Sequence, residues 1–525
     1  MKHLSQTLLT ILAFILQAPT LLHAGDWLTF GHDPQRSGWA FAENQLSLQN
    51  VSGLSLKWKV PLKNEPKSLT ALTVPVVASN VTTAQGVKSL VYVAGSSNHF
   101  FALDAESGTM IWTRTFDTLT VPKNEDMWLC PQGINATPTI DKAGGIIYAI
   151  ALDGRLYGLD LGTGRTRFGP IQFVPPFSKN WSLNLVDGVI YTSISQGCGS
   201  AQSGLYSMDV RNPFRPLVRV LLVSERGTAG IWGRGGPVIG EDRRVYGMTG
   251  DGEFDPANQK YGSSVIAGSL KELELKDYFA PLNWRDVNKY DWDIGCTSPV
   301  WFAHRNRNLL AGGGKEGIVY LMDAAELGGK DHHTPLFTTP RLGNDEDSFQ
   351  GTGIWGGLSA WQDDKGDSWV YVPMLGPVSK HAPKFPKTNG PNPNGSVMAF
   401  KVAETTEGKP VLEPAWISGD FKIPEPVVIA NGVVFVLSSG ENVNQTQEGG
   451  VIFAQKQTML NDAQRKENTE RAVLYALDAK TGKVLYQSGN AIDTWVHFSG
   501  LALANSQVYA VDRDSQVYCF GLKGK

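Results

Sequence analysis

The stretch "VYVAGSSNHFFALDAESGTMIW", Val91 to Trp112, decides the fold. Two runs of β-branched and aromatic residues flank a short turn of Gly, Ser and Asn, which is the pattern of a β-hairpin. The second run ends in "ALDAESG", where Asp and Gly satisfy a tight bend. No long window of the chain has a helical period. The stretch therefore predicts a hairpin followed by a second tight turn.

The same pattern recurs along the 525-residue chain. Seven further copies begin at Ile147, Ile190, Val245, Leu309, Val370, Val434 and Val508. The closing turn returns as "GLDLGTG" and "ALDAKTG". Eight copies leave roughly 60 residues for each unit, enough for a four-stranded blade with insertions. Since radially arranged sheets leave only short, protected edges, we predict an all-β fold, an eight-bladed β-propeller over residues 25–525.

The two ends of the propeller are expected to meet. The last copy runs to Leu522, whereas "LSLKWKV" (Leu54 to Val60) is a predicted strand without a blade of its own. We expect this N-terminal strand to complete the final blade. The preceding "DWLTFGHDPQRSGWA" is predicted to be a surface strap tied down by Trp27 and Trp39.

Two blades carry long insertions. Residues 376–395 are rich in Pro and Asn and predict an irregular loop. Residues 441–471 are polar and compatible with a short helix. Long loops in a compact fold are either binding loops or surface excursions, and the sequence leaves both interpretations open.

The N-terminus has the features of a secretory signal. A positive "MKH" precedes an apolar run from Leu8 to Leu16 and a small residue at Ala24. The run is too short to cross a bilayer. We predict that residues 1–24 are a signal peptide and that the protein is exported, to the periplasm or the extracellular space, without a membrane span in the mature chain. The net charge of −3 argues against a nucleic-acid partner.

The four cysteines are Cys130, Cys198, Cys296 and Cys519. They form no CxxC pair, which argues against a structural zinc site, and no CxxCH, so no c-type haem is expected. One disulfide is compatible with this number, but its pairing is not fixed by the sequence. Cys130, Cys198 and Cys296 each flank a predicted inner strand of neighbouring blades, so we expect them to converge on one face.

The strand pattern "G-x-x-Y-x-L-D", the turn "LDxxTG" and the entry "NVSGLSLKW" together resemble the pyrroloquinoline quinone (PQQ) repeat. The whole mature chain is similar to the eight-bladed quinoprotein alcohol dehydrogenase-like superfamily. "GIWGRGGP", "TGD" and "DWDIGCTSP" also look like segments of polyvinyl-alcohol-type dehydrogenases, here without their cytochrome c domain. The resemblance implies a PQQ- and Ca²⁺-dependent dehydrogenase that oxidises a small-molecule or polymer alcohol and passes electrons to a separate acceptor.

The same repeat also occurs in non-catalytic propellers, including an outer-membrane assembly factor. The alternative interpretation is therefore a protein-binding or assembly scaffold.

The resemblance implies roles for two aspartates. Asp293 in "DWDIGCTSP" matches the catalytic base, and Asp291 is interpreted as a turn former. Asp251 in "GMTGDGEF" stands where relatives supply an Asn to calcium, so Asp251 and Asp293 are the expected metal ligands. Gly295 stands where lanthanide-using relatives carry an extra aspartate.

Four further residues are expected at the cofactor. Trp232 in "GIWGRGGP" matches the flat floor under the quinone, and Lys315 in "GGGKEG" matches a basic residue at the quinone oxygens. Trp355 in "GIWGG" is expected on the inner strand of the sixth blade, near the cofactor. Cys130 in "WLCPQG" stands where relatives carry a disulfide of adjacent cysteines that covers the quinone.

The chain departs from the dehydrogenases in three places. Leu129 precedes Cys130, so the adjacent-cysteine cover is absent. No glutamate occurs in "ISQGCGSAQ" or in "SLTALTVP", where relatives carry one. We hypothesise that two of the cysteines Cys130, Cys198 and Cys296 form a bridge across the pocket and replace the missing cover.

Overall fold

The computed structural model of the protein describes residues 25–523, except for 68, 121–129, 132, 213, 226, 346–351, 443–459, 461 and 498. The predicted signal peptide, residues 1–24, lies outside the described residues. Within them the chain is almost entirely β-structure. The two described α-helices are short, α1 at Trp284–Lys289 and α2 at Asp462–Lys466. No helix in the described ranges has the length and apolar character needed to cross a membrane.

Eight mainly antiparallel sheets follow one another along the chain as blades. Strand β1 (Leu54–Pro61) precedes blade 1, which contains β2–β5 at Val76–Thr83, Gly86–Gly95, His99–Asp104 and Met110–Thr115. Blade 2 contains β6–β9 at Thr139–Asp141, Ile146–Ile150, Arg155–Asp160 and Thr166–Gln172. Blade 3 contains β10–β14 at Lys179–Asn180, Asn184–Val186, Val189–Ser195, Gly204–Asp209 and Leu217–Leu222. Blade 4 contains β15, β16, β19 and β20 at Val238–Ile239, Arg244–Met248, Val265–Ser269 and Leu275–Phe279, and the hairpin β17–β18 at Phe254–Asp255 and Lys260–Tyr261 lies between its middle strands.

The second half of the ring has the same plan. After β21 (Thr297–Ser298), blade 5 contains β22–β25 at Val300–His304, Arg307–Gly313, Val319–Asp323 and Phe337–Thr338. Blade 6 contains β26 and β28–β32 at Gly353–Ile354, Ser359–Gln362, Ser368–Leu375, Lys387–Thr388, Gly395–Glu404 and Pro410–Ile417, and β27 (Gly356–Gly357) pairs with β21. Blade 7 contains β33–β36 at Val428–Ala430, Val433–Ser438, Val473–Asp478 and Val484–Gln487. Blade 8 contains β37–β39 at Ala502–Ala504, Gln507–Val511 and Gln516–Leu522. Five short 3₁₀ segments are described at Val51–Gly53, Cys198–Ser200, Pro256–Asn258, Gly329–Asp331 and Gly489–Ala491.

The predicted eight-bladed propeller is confirmed. Each of the eight sequence copies begins inside a strand. In every blade this is the strand that pairs with the inner strand. β1 pairs antiparallel with β39, from Leu54 opposite Leu522 to Pro61 opposite Gln516. The N-terminal strand therefore forms the outer strand of blade 8 and closes the ring, as predicted.

The repeated Asp–Gly turn fastens one blade to the next. In blade 2 the carboxylate of Asp160 accepts hydrogen bonds from the main-chain N–H groups of Gly162 and Thr163. Gly164 then adopts a left-handed φ of +67°, and the indole of Trp112 from blade 1 lies against it. The indole N–H donates to the carbonyl of Leu161 at 2.8 Å. A tryptophan on an outer strand is thus docked on the turn of the following blade.

This docking recurs at two other blade junctions. Trp58 of β1 donates its indole N–H to Ala105 in blade 1, and Trp416 of blade 6 donates to Ala479 in blade 7. Between the blades, alternate residues of one strand face opposite neighbours because side chains alternate along a strand. Ile190 and Ile194 pack in the core shared with blade 2, whereas Tyr191 packs in the core shared with blade 4.

The predicted strap and the residues just after it contact every blade in turn, including blade 3, where the side chain of Asn184 donates to the carbonyl of Pro34. The main chain of the strap pairs with Val77 in blade 1 through Trp27, which is fully buried, and with Ile429 in blade 7 through Trp39. Between these points its carbonyls accept hydrogen bonds from the inner strands of blades 2, 4, 5 and 6, at Ile140, Ile239, Trp301 and Ala360. Glu43 accepts from Ser506 in blade 8. The strap is therefore more than a surface segment, since it ties the inner strands together.

The long insertions are described in part. Residues 376–395 are mostly irregular, as predicted, apart from the two-residue strand β30 that pairs with β32. In the second insertion, α2 confirms the predicted short helix, and residues 443–459 lie outside the described residues.

Candidate functional site

The loop between blades 4 and 5 begins with α1 and carries both aspartates of "DWDIGC". α1 ends at Lys289, and Asp291 follows with a left-handed φ of +55°. Asp291 is therefore a turn residue, as predicted, because short polar side chains tolerate this conformation. Trp292 between the aspartates is buried, so the loop is anchored by its aromatic residue. Both carboxylates are buried as well, with side-chain exposures of 4% and 6% for Asp291 and Asp293.

The carboxylate of Asp293 is held from two directions. Its Oδ1 accepts a hydrogen bond of 2.7 Å from the main-chain N–H of Asp251 in blade 4. Its Oδ2 accepts one of 2.9 Å from the ammonium of Lys315 in blade 5. A Cβ at Gly250 would lie 2.5 Å from Oδ1, and one at Gly314 would lie 2.1 Å from the carbonyl of Asp293. Glycine at these two positions permits the neighbouring loops to approach the aspartate.

Lys315 is the central cation of the site. Its Nζ lies 2.7 Å from Oδ1 of Asp291 as well as 2.9 Å from Oδ2 of Asp293. Although burial opposes the charged form, the neighbouring aspartates raise the pKa of Lys315. The side chain is therefore a fixed positive charge at ordinary pH, and it is buried, with an exposure of 4%.

Two tryptophans line the same cation. Nζ of Lys315 lies 5.0 Å from the ring centroid of Trp232 and 5.3 Å from that of Trp355, both within cation–π range. The two indoles meet edge to face, with centroids 5.7 Å apart. Both predicted tryptophans and the predicted lysine thus belong to one group with Asp293.

Three carboxylates come together beside this lysine. Asp251, Asp291 and Asp293 each place an oxygen within 4.8 Å of the others. Burial, followed by the charges of Asp293 and Asp291, raises the pKa of Asp251 well above its usual range. Burial likewise raises the pKa of Asp291 to about 6, although Lys315 opposes this shift. Oδ1 of Asp251 is buried and has no hydrogen-bond partner among the residues that the structure describes. Hard oxygen donors of this kind suit Ca²⁺ or another hard cation.

The disulfide joins Cys130 to Cys198, with Cα atoms 5.7 Å apart. It ties the loop that leads into blade 2 to the 3₁₀ segment of blade 3. Two of the three named cysteines therefore do converge, as hypothesised, but Cys296 is not one of them. Its buried thiol lies 3.1 Å from the carbonyl oxygens of Asp293 and Ile354, and burial raises its pKa. Cys296 packs under the site and takes no part in the bridge.

For Asp291 the sequence predicts only a turn, yet this residue belongs to the site. It does occupy a turn, but its carboxylate also joins the acidic group and pairs with Lys315. Its signal in the sequence is its position two residues before Asp293, which places both carboxylates on one short loop. For Cys198 the sequence predicts only that it is one of three candidates for the disulfide.

Comparisons with known proteins agree on the fold. The family described as "Glucose/ethanol/alcohol dehydrogenase, beta-propeller domain" (PQQ) matches residues 27–189. No curated protein sequence matches the chain. Among solved structures, quinohemoprotein alcohol dehydrogenase from Comamonas testosteroni is 14% identical, with a TM-score of 0.60 over 95% of this chain and 81% of that one.

Two further solved structures are similar. A quinohemoprotein alcohol dehydrogenase from Pseudomonas putida HK5 is 15% identical, with a TM-score of 0.59 over 96% of this chain and 81% of that one. A europium-containing methanol dehydrogenase is 15% identical, with a TM-score of 0.54 over 95% of this chain and 98% of that one. The chain therefore has the eight-bladed PQQ-repeat propeller fold of these dehydrogenases, and the resemblance inferred from its repeats is confirmed at that level.

Proposed function

We propose that the protein is an exported PQQ-dependent dehydrogenase that oxidises the hydroxyl group of an alcohol, a polyol or a polymer, with Asp293 as the base. The observation that carries the proposal is the grouping of Asp293 with Asp251, Lys315 and Trp232. A metal-assisted quinone site requires acids, a fixed cation and a flat aromatic ring. Asp293 and Asp251 supply the acids, Lys315 the cation and Trp232 the ring.

The residues fit the metal and the quinone. Asp251, Asp291 and Asp293 would hold a hard cation, and the unpaired Oδ1 of Asp251 is the oxygen that such an ion would satisfy. Trp232 and Trp355 would hold the quinone by aromatic contact, and Lys315 would hold it by its positive charge. The Cys130–Cys198 bridge would replace the cover that relatives form from adjacent cysteines. When bound, the quinone supplies the hydride acceptor and the cation polarises its carbonyl.

The protein's own groups would then prepare the alcohol for oxidation. Asp293 is fixed by the N–H of Asp251 and the ammonium of Lys315, so one carboxylate is oriented before the substrate arrives. Such an oriented carboxylate accepts the hydroxyl proton as the hydride leaves the carbon. Burial of the site excludes water and strengthens the electrostatic effect of Lys315 on developing negative charge. Because the oxidation releases two electrons, the reaction requires a separate electron acceptor.

Export is supported by the cysteine chemistry. Disulfides persist in oxidising compartments such as the periplasm and the extracellular space, and the Cys130–Cys198 bridge is compatible with either. This observation and the N-terminal signal pattern support the same proposal by different routes.

The test is a titration of the purified protein with PQQ and Ca²⁺, followed by absorbance and by dye-linked oxidation of alcohols. Binding in the micromolar range and dye reduction with a primary alcohol are the expected results. No binding at micromolar PQQ in the presence of Ca²⁺ would remove the dehydrogenase proposal.

A different observation favours a scaffold as the second candidate. The outer strand of blade 3 and the turn before it expose an apolar row: Phe214, Leu217, Val218, Val220 and Leu222. Phe214 alone is 92% exposed. An exposed, apolar edge strand is the kind of surface that pairs with a protein partner. If PQQ does not bind, a binding or assembly role is the remaining candidate.

A further inference from the structure

Blade 3 contains a second buried cation near the site. Lys179 begins β10 and is 1% exposed. Among the described residues, its ammonium has no carboxylate within ion-pair distance. It donates to the side-chain oxygen of Gln196 and lies 5.2 Å from the ring centroid of Trp181. A buried ammonium without a counter-ion is costly for a fold, so its retention requires an explanation.

The strand register shows which groups share a face with this lysine. Lys179 lies opposite Ser195 in the antiparallel pair of β10 and β12. Trp181, two residues on, donates its main-chain N–H to Ser193 and its indole N–H to the hydroxyl of Ser195. Because side chains alternate along a strand, Lys179, Trp181, Ser193 and Ser195 lie on one face of the sheet.

This face has hydrogen-bond donors that its described neighbours leave unused. Oγ of Ser193 is buried and has no hydrogen-bond partner in the described ranges. The hydroxyl of Ser195 accepts from Trp181 and retains its own proton for donation. The ammonium of Lys179 has three N–H donors, and among the described residues it makes one hydrogen bond, to Gln196. Gln196 is half-buried, so the face lies close to solvent.

The face is directed toward the candidate site. Tyr191 of the same strand, which shares the parity of Ser193 and Ser195, packs in the core between blades 3 and 4. A Cβ at Gly230 would lie 2.7 Å from Cβ of Ser195. Gly230 is two residues before Trp232 and accepts a hydrogen bond from Gly250, which adjoins Asp293. The donor face and the acidic site are therefore joined by one short segment.

We infer that the face shared by Lys179, Ser193 and Ser195 binds a carboxylate group of the ligand held in the site, which under the proposed function is a carboxylate of PQQ. A carboxylate accepts charge-assisted hydrogen bonds from an ammonium and from hydroxyls at the same time. It also supplies the missing counter-charge. In its absence, burial lowers the pKa of Lys179 to about 7, and an arriving carboxylate would draw a proton onto the amine.

The experiment compares wild type with Lys179→Met, which removes the charge and retains a long side chain. The control is Lys88→Met in blade 1, where the ammonium pairs with Asp104 away from the site. PQQ is titrated at pH 8 by calorimetry in buffers of different ionisation enthalpy, which reports affinity and proton uptake separately. We expect wild type and Lys88→Met to take up about one proton per PQQ. Lys179→Met should bind at least about tenfold more weakly and take up none.

Each other outcome is decisive. Equal PQQ affinity in wild type and Lys179→Met overturns the inference. Weaker binding by Lys179→Met with unchanged proton uptake also overturns it. In both cases the proposed function stands. If wild type binds no PQQ, the proposed function fails and the carboxylate site is judged with oxalate as the probe. The ε-¹³C resonance of Lys179 is then titrated with pH, with and without millimolar oxalate. A rise of its pKa with oxalate supports the site, and an unchanged pKa overturns it.

Discussion

The main-chain N–H of Asp251 donates to Oδ1 of Asp293 at 2.7 Å, across 42 residues of chain. This bond joins the turn of blade 4 to the loop that leads into blade 5. It fixes the carboxylate that we propose as the base, and it brings the side chain of Asp251 into the same acidic group.

The first prediction concerns Asp293. Asp293→Asn keeps an oxygen that can accept from Asp251 but cannot take a proton from an alcohol. We expect turnover to fall by about 10²- to 10⁴-fold, with PQQ affinity unchanged within a few-fold, in dye-linked assays and titrations of the same preparation. Asp153→Asn, in a turn of blade 2, is the control and should retain activity. A variant as fast as wild type would show that Asp293 is not the base.

The second prediction concerns the acidic group as a metal site. Terbium is a suitable probe because its luminescence is sensitised by nearby tryptophans such as Trp292 and Trp232. Asp251→Asn should reduce terbium affinity at least about tenfold, since each carboxylate adds charge and a donor to a hard-cation site. Asp255→Asn, in the adjoining hairpin and outside the acidic group, is the matched control. Equal affinities in both variants would mean that the cation binds elsewhere.

The third prediction concerns the cysteines. Alkylation of native protein should label no thiol, because Cys296 and Cys519 are buried. Unfolding without reductant should expose these two, and reduction should expose all four. A Cys130→Ser, Cys198→Ser double variant should lose about 3–4 kcal/mol of unfolding free energy, because the closed loop is long. Cys519→Ala is the control that leaves the bridge intact, and four reactive thiols in unreduced protein would contradict the pairing.

The fourth prediction compares two glycines of blade 2 with the same backbone conformation. Gly164 and Gly145 have φ values of +67° and +68°. A Cβ at Gly164 would lie 2.7 Å from the indole of Trp112, whereas one at Gly145 meets nothing within 4 Å. Gly145→Ala should cost about 1 kcal/mol for the left-handed conformation. Gly164→Ala should cost at least about 1 kcal/mol more, since the docked indole must move. Denaturant unfolding measures both, and equal costs would show that the indole is not held against the turn.

The fifth prediction is a pH dependence that follows from the buried Lys179. The pKa of this lysine falls from 10.5 to about 7 on folding. Between pH 7 and 10 the unfolded chain therefore binds a proton that the folded chain lacks, so the unfolding free energy rises with pH in this window and levels off above it. From pH 7 to pH 9 the difference between wild type and Lys179→Met should grow by about 2 kcal/mol in favour of wild type. A difference that does not change with pH would show that Lys179 remains charged in the fold.

Much of the architecture was predictable because it is repeated. Each copy of the strand–turn pattern carries its own hydrophobic alternation and its own Asp–Gly turn, so eight weak local signals agree on one fold. Closure of the ring by Leu54 to Val60 was predictable for a similar reason. A strand that belongs to no blade must pair with the blade that lacks an outer strand. The positions of Trp232, Asp251, Asp293 and Lys315 were inferred from a resemblance in the loops between these copies.

The sequence by itself determined the propeller, its closure and the identity of the residues that the blades present at one end. Only the tertiary structure decided which of them meet. Asp291 enters the acidic group because a left-handed turn and the buried Trp292 direct it toward Lys315, which is 24 residues away. Cys198 rather than Cys296 pairs with Cys130. Within the part of the chain that the structure describes, Lys179 contacts the side chain of Gln196 and no acid. Such relationships depend on the distance between loops of different blades, and that distance is set by the packing of whole sheets against one another.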